Sequence, residues 1–177
     1  MQIVKVLKIP KVLPKHNLPI NIVKHCNIYK EESMKHASLF AWITLSKYID
    51  LKKVRFSKNG KPYLLGNKQY FSLSHTHEMI AIAINNKPIG IDIEYIIPSN
   101  ISSMLASRLL EGKQLQSYYK AKDRPIWFTK YWTQHEAYIK LIDAKFNFNS
   151  LKHKLNCSIQ TKQIKNRDKV LIVSIVK

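Results

Sequence analysis

FSLSHTHEMIAIAINNKPIGIDIEYI, residues 71–96, is the stretch on which the fold turns. FSLSH and MIAIAI are short runs rich in apolar and β-branched residues, NNKP has turn composition, and IGIDIEYI alternates with a period of two. They read as successive strands of a hairpin-rich sheet. In the last of them Asp92 and Glu94 take alternate positions, so both carboxylates leave one face, roughly 7 Å apart along the strand. Ile91 and Ile93 point the other way. By itself the pattern describes a strand with an apolar core face and a solvated polar face. Acidic residues are scarce, however, with 11 Asp and Glu in 177 residues. Hard divalent cations such as Mg²⁺ are commonly held by one or two carboxylates together with substrate phosphates.

Upstream, Met1 to Leu7 and Ile20 to Tyr29 read as strands, punctuated by Pro10, Pro14 and Pro19. A helix follows, with Glu31 and Glu32 in its first turn and Met34, Ala37, Ala41, Leu45 and Tyr48 at helical spacing. SKNGKPYL then supplies a turn at Asn59-Gly60, after which Pro62 holds the chain extended. Downstream of Pro98 the pattern is helical over Ile101 to Leu110, Lys113 to Tyr119 and about Pro125 to Ile142, with Pro125 suited to a first turn. From Leu151 onward, LNCSIQ and VLIVSIV read as a closing pair of strands separated by a charged turn. The order strand, helix, strands is thus run through twice, predicting an α+β fold in two similar halves, 1–97 and 98–177.

Composition narrows the partners. Thirty Lys and Arg against 11 Asp and Glu give a formal net charge of +19. Divided after Glu94, the first part has 15 basic and 6 acidic residues (+9) and the second 15 and 5 (+10), so the charge belongs to the folded body and the partner is expected to be anionic. With 45% apolar residues a disordered chain is excluded. Cys26 and Cys157 lack metal-ligand spacing, and two cysteines do not make a disulfide-stapled secreted domain. The lysines in MQIVKVLKIPKVLPK interrupt any signal-peptide core, and no later run approaches a membrane span. The expectation is a cytoplasmic protein with no membrane partner.

The remaining polar candidates are turn and helix residues. Glu136 and Lys140 in WTQHEAYIK, residues 132–140, stand four apart on a helix; this is the spacing of an ordinary surface ion pair, and it also permits Glu136 to complete a three-carboxylate cation site while Lys140 reaches a phosphate held by the same ion. His75 lies in FSLSHT among Ser74, Thr76 and His77, and Lys61-Pro62 follows Gly60. There is no Walker-type glycine loop and no dinucleotide fingerprint. With four glycines in the chain, phosphates would have to be held by side chains.

Taken together, GKP at Gly60 to Pro62, FSLSHT at Phe71 to Thr76, IGIDIE at Ile89 to Glu94 and WTQHEAYIK at Trp132 to Lys140 resemble the ordered motifs of the 4′-phosphopantetheinyl transferase superfamily, in its larger surfactin-synthetase-activating type. With their joining segments these motifs cover roughly residues 29 to 142. The resemblance implies a monomer of two α+β halves related by a pseudo-twofold, with coenzyme A in the cleft between them. It also implies transfer of the 4′-phosphopantetheine arm to a serine of an acidic apo acyl or peptidyl carrier protein. By the same resemblance Asp92, Glu94 and Glu136 hold Mg²⁺, and Lys140 contacts phosphate. Gly60, Lys61 and Pro62 line the adenine pocket, while Ser74, His75 and Thr76 meet the 3′-phosphoadenosine end. The family's arginine for the 3′-phosphate is replaced here by MKHAS, so Lys35 or His36 takes that position. His135 replaces the lysine that precedes the motif glutamate, adding a titrating group to the catalytic set of Glu136 and Lys140. The stretch LIDAKFNFN after Lys140 departs from the family's glycine loop.

Two other functions fit parts of the pattern. A Mg²⁺-dependent nucleic-acid enzyme would also use clustered carboxylates and basic charge, although the motif order argues against any specific nucleic-acid partner. A non-catalytic binder of coenzyme A or of a carrier protein would accommodate His135 and the altered loop.

Overall fold

The computed structural model describes residues 2–66, 69–145 and 155–177. The chain forms two compact units, Met1–Ile89 and Gly90–Lys177. The α+β expectation holds in both. The division falls earlier than the expected boundary after residue 97, so GIDIE, from Gly90, opens the second unit.

In the first unit, β1 (Ile3–Lys8) is followed by α1 (Ile20–Cys26), α2 (Glu32–Leu45), a short hairpin of β2 (Val54–Phe56) and β3 (Pro62–Leu64), and then β4 (Tyr70–His75) and β5 (Met79–Asn85). The three-stranded sheet runs β1-β5-β4, antiparallel throughout. Ile80, Ile82 and Ile84 of β5 and Phe71 of β4 form one core with Ala41, Trp42 and Leu45 of α2. The Trp42 and Phe71 rings meet edge to face with centroids 5.9 Å apart.

Ile20 to Tyr29, read as a strand, is a correction: the segment is the helix α1. Pro19 sets its start, and Ile22 and Cys26, one turn apart, are its buried residues. The β-branched INIV run favours a strand by propensity, but the i, i+4 burial against the α2 core outweighs it. Helix α2 ends at Leu45, so Lys47 and Tyr48 lie in the turn beyond it.

In the second unit, β6 (Gly90–Tyr95) leads to α3 (Ser99–Leu109), α4 (Gly112–Lys120), the long helix α5 (Arg124–Ile142), and the hairpin of β7 (Ile159–Asn166) and β8 (Lys169–Val176). The sheet order is β6-β8-β7. Each unit thus places its first strand beside its last and its middle strand on the far edge. The three helices match their sequence reading to within a few residues. Asp123 caps α5 by accepting the Ile126 amide at 2.9 Å, with Pro125 in the first turn.

Two further readings are corrected. NNKP does not close a hairpin, because β5 pairs with β1 and β4 whereas β6 pairs with β8. The charged TKQIKN run is strand β7, with Arg167 and Asp168 making the turn; its lysines suit an edge strand, where they discourage pairing with another chain. LNCSIQ therefore enters the strand only at its end. Met1, the start of the tail at Leu151, and FNFN of the stretch after Lys140 lie outside the described residues. Among the described residues no helix is long and apolar enough to cross a membrane.

Candidate active site

The site is built where α5 crosses β6. An ideal Cβ placed on Gly90 would stand 1.9 Å from the Ala137 carbonyl oxygen and 2.9 Å from the Leu141 amide nitrogen, so only glycine lets the helix backbone approach the strand this closely. The face of β6 that carries Asp92 and Glu94 is therefore covered by α5 and not solvated, as the alternation alone had suggested. Asp92 is 2% exposed.

Hydroxyl contacts that pattern reading missed hold α5 in place. Thr129 Oγ1 accepts the Ile97 amide at 2.9 Å and donates to the Pro125 carbonyl at 2.8 Å. Thr133 Oγ1 lies 2.8 Å from Ser174 Oγ on β8, and Ser174 Oγ lies 3.1 Å from Thr161 Oγ1, which accepts from Gln134 Nε2 at 3.0 Å. Thr133 and Ser174 are fully buried. The only sequence signal for this network was polar residues on otherwise apolar elements.

These contacts bring Glu136 and Lys140 over Asp92 and Glu94. Lys140 Nζ donates to Asp92 Oδ1 at 2.7 Å. Burial, the charge of Asp92 and that of Glu136 push Glu94 up to about 8 against the opposing pull of Lys140. Burial and Asp92 likewise raise Glu136, again opposed by Lys140. For Lys140, burial favours the neutral amine, but Asp92, Glu136 and Glu94 outweigh it and hold the ammonium above its usual range.

The expected magnesium set does not stand as a closed ligand triad: among the described residues no three His, Cys, Asp or Glu side chains are arranged to hold a metal ion. Lys140 takes one Asp92 oxygen instead. The donor chemistry nonetheless suits a hard cation: three carboxylates stand together, burial and the charge of Asp92 raise Glu94 and Glu136, and Lys140 opposes that rise.

The raised Glu94 predicts a pH dependence. Its proton is held more tightly in the fold than in the unfolded chain, so the folded state binds more protons between pH about 4.5 and about 8. In chelator-treated protein, stability should therefore fall as pH rises through that window, by a total on the order of a few kcal/mol. Glu94→Gln should flatten the decline; parallel curves of Tm against pH for the two proteins would refute this.

His135 is packed against its own helix. It is 3% exposed, its Nδ1 is 2.8 Å from the Tyr131 carbonyl oxygen, and its ring lies on that of Tyr131 with centroids 4.2 Å apart. Tyr131 stacks in turn on Trp127 at 5.3 Å.

The nucleotide-end candidates lie in the first unit. Gly60, with φ +88°, and Lys61 belong to the turn before β3, where Ser57 Oγ accepts the Asn59 and Lys61 amides at 3.1 Å each. Pro62 begins β3. Ser74 is buried on β4, and the His75 ring meets Tyr29 edge to face at 5.2 Å. Thr76 Oγ1 accepts the Glu78 and Met79 amides at 3.2 and 3.1 Å, shaping the β4–β5 turn. Lys35 pairs with Glu32 at 3.7 Å. His36 Nε2 donates to the Pro10 carbonyl at 2.8 Å and, with Lys8, Lys11, Ser33 and His77, lines a pocket of about 420 Å³.

A carboxylate and lysine cluster shared by a strand and a helix can hold a hard cation beside a phosphate. Residues 88–171 match the family model of the 4′-phosphopantetheinyl transferase superfamily, which bears out the resemblance seen in the motifs. The chain is 33% identical over 117 residues to the 4′-phosphopantetheinyl transferase gsp of Aneurinibacillus migulanus, covering 60% of this chain and 48% of that protein. It is 35% identical over 97 residues to the 4′-phosphopantetheinyl transferase HetI of Nostoc sp. (strain PCC 7120 / SAG 25.82 / UTEX 2576), covering 50% and 40%. With psf-1 of Bacillus pumilus, also a 4′-phosphopantetheinyl transferase, identity is 33% over 86 residues, covering 47% and 36%. The chain thus spans less than half the length of these relatives.

Proposed function

We propose that this protein transfers the 4′-phosphopantetheine arm of coenzyme A to a serine hydroxyl of an apo carrier protein, releasing adenosine 3′,5′-bisphosphate. The observation that carries the reading is the gathering of Asp92, Glu94, Glu136 and Lys140 where α5 crosses β6, inside the segment that matches the superfamily.

The serine oxygen attacks the phosphorus that bears the pantetheine arm, and the bond from that phosphorus to the bridging oxygen breaks. Glu136, whose raised proton affinity makes it a better base than a surface carboxylate, takes the serine proton. Lys140 binds a non-bridging phosphate oxygen and offsets the charge on the departing bisphosphate. A divalent cation such as Mg²⁺, held by Asp92, Glu94 and Glu136, would neutralise the diphosphate. Gly60, Lys61 and Pro62 are assigned to the adenine, Ser74, His75 and Thr76 to the 3′-phosphoadenosine end, and His36 or Lys35 to the 3′-phosphate. The packing of His135 on Tyr131 supports a part in orienting α5, and not a proton transfer.

Incubation with apo carrier protein, coenzyme A and Mg²⁺, followed by intact-mass measurement, tests the reading. One added phosphopantetheine per carrier supports it; an unchanged carrier mass beside folded protein overturns it. The charge of +19 over both units adds a kinetic expectation for an acidic carrier. With coenzyme A saturating, kcat/KM for the carrier should fall severalfold as salt rises from low to physiological, where the Debye length is about 8 Å. A flat salt profile would remove electrostatic steering.

A further inference from the structure

Lys140 holds more than the place of a phosphate ligand. Its ammonium contacts Asp92 at 2.7 Å, and the two partners differ in their freedom: the Asp92 side chain is 3% exposed and the Lys140 side chain 30%. Asp92 is fixed on β6, paired in register with Ser174 of β8. Lys140 ends a flexible four-carbon stem from the last turn of α5, so it can leave while the strand stays. Glu94 and Glu136 complete the set of charges facing it.

We propose that Lys140 is the built-in counter-cation of the ligand-free cluster, and that it couples cation entry to phosphate entry by exchanging partners. Lys140 holds Oδ1 of Asp92, and a divalent ion that takes the same carboxylate on either oxygen stands close enough to the ammonium for their repulsion to drive the lysine off. The displaced ammonium then stands one helical turn from Glu136, near the cation just bound, and needs an anion. A phosphate oxygen of the substrate supplies it. Cation alone therefore binds weakly, phosphate-bearing ligand alone meets a lysine already engaged, and each improves the affinity for the other by the same factor. The inference rests on the proposed transferase reading only for the identity of the anion as coenzyme A.

Mn²⁺ titrated into the full chain, followed by its electron paramagnetic resonance signal with and without coenzyme A, tests the exchange. The native protein should bind Mn²⁺ weakly alone and about tenfold or more tightly with coenzyme A. Lys140→Gln should bind Mn²⁺ alone about tenfold more tightly than the native protein, and coenzyme A should add little. Lys140→Arg, which keeps the charge, should stay weak in Mn²⁺ alone and guards against attributing the gain to a loosened fold. Equal or weaker Mn²⁺ binding by Lys140→Gln overturns the proposal, as does failure of every form to bind Mn²⁺ while transfer proceeds. Tighter Mn²⁺ binding by Lys140→Gln with no transfer by the native protein sustains the exchange and overturns the transferase reading, so the two failures are separable.

Discussion

Gly90→Ala is expected to be the most damaging single methyl in the second unit, lowering stability by about 3 kcal/mol or more. The added Cβ would lie 1.9 Å from the Ala137 carbonyl oxygen, and the obstacle is helix backbone, not the end of a side chain that can rotate away. Relief requires α5 to lift off β6. Thr133 and Ser174, whose hydroxyls meet at 2.8 Å, and Thr129, which caps the Ile97 amide at 2.9 Å, would then be pulled apart while buried, and each lost bond costs about 1 kcal/mol or more. Lys140 would also lose its 2.7 Å contact with Asp92. Chemical denaturation of native protein and variant measures the difference, and the Mn²⁺ response with coenzyme A should vanish with it. A loss below about 1 kcal/mol would mean that α5 does not need this close approach.

Much of this architecture could be read from residue order, and the failures share a physical origin. Helices α3, α4 and α5 were legible because Pro98 and Pro125 mark starts and apolar residues recur at helical spacing between them. Strands β4, β5, β6 and β8 were legible from alternation or continuous apolar runs. Helix α1 was not, since a seven-residue element shows two buried positions and the β-branched INIV run outvotes them. TKQIKN of β7 was mistaken for a turn because an edge strand with one exposed face is free to be polar. The pairing of β6 with β8 was illegible because Asp92 and Ser174 are 82 positions apart, and local pattern carries no register between distant strands.

The candidate site divides along the same line. Asp92, Glu94, Glu136 and Lys140 were all named from two local patterns, a period of two and a spacing of four. Their burial was not foreseen, because it depends on Gly90 admitting α5 onto the acidic face. That burial changes the chemistry: a solvated Glu94 would titrate like any carboxylate, whereas the enclosed one is pushed up to about 8. His135 shows the converse. Its place in HEAYIK invited a chemical role, while the i, i+4, i+8 spacing that stacks Trp127, Tyr131 and His135 along one side of α5 is local and went unread.

Asp92→Asn should reduce transfer by about 10²- to 10³-fold while leaving stability nearly unchanged. Two opposed effects set the small stability change. Lys140 loses the partner it holds at 2.7 Å, which destabilises a 3% exposed position. Glu94 and Glu136 lose a neighbouring negative charge that had raised both, which stabilises the ionised cluster near neutral pH. Because the second effect offsets the first, the variant should fold, and its rate then reports on chemistry. That rate should be low because Asn supplies one neutral oxygen where the cation needs full negative charge. Glu136→Gln should lose at least as much, since the amide can neither accept the serine proton nor offer a charged oxygen to the cation. Single-turnover transfer to apo carrier protein, with thermal unfolding as the control for folding, separates the two readouts. Transfer within a few-fold of native in a folded Asp92→Asn protein would remove Asp92 from the site and leave its contact with Lys140 serving only to tie α5 to β6.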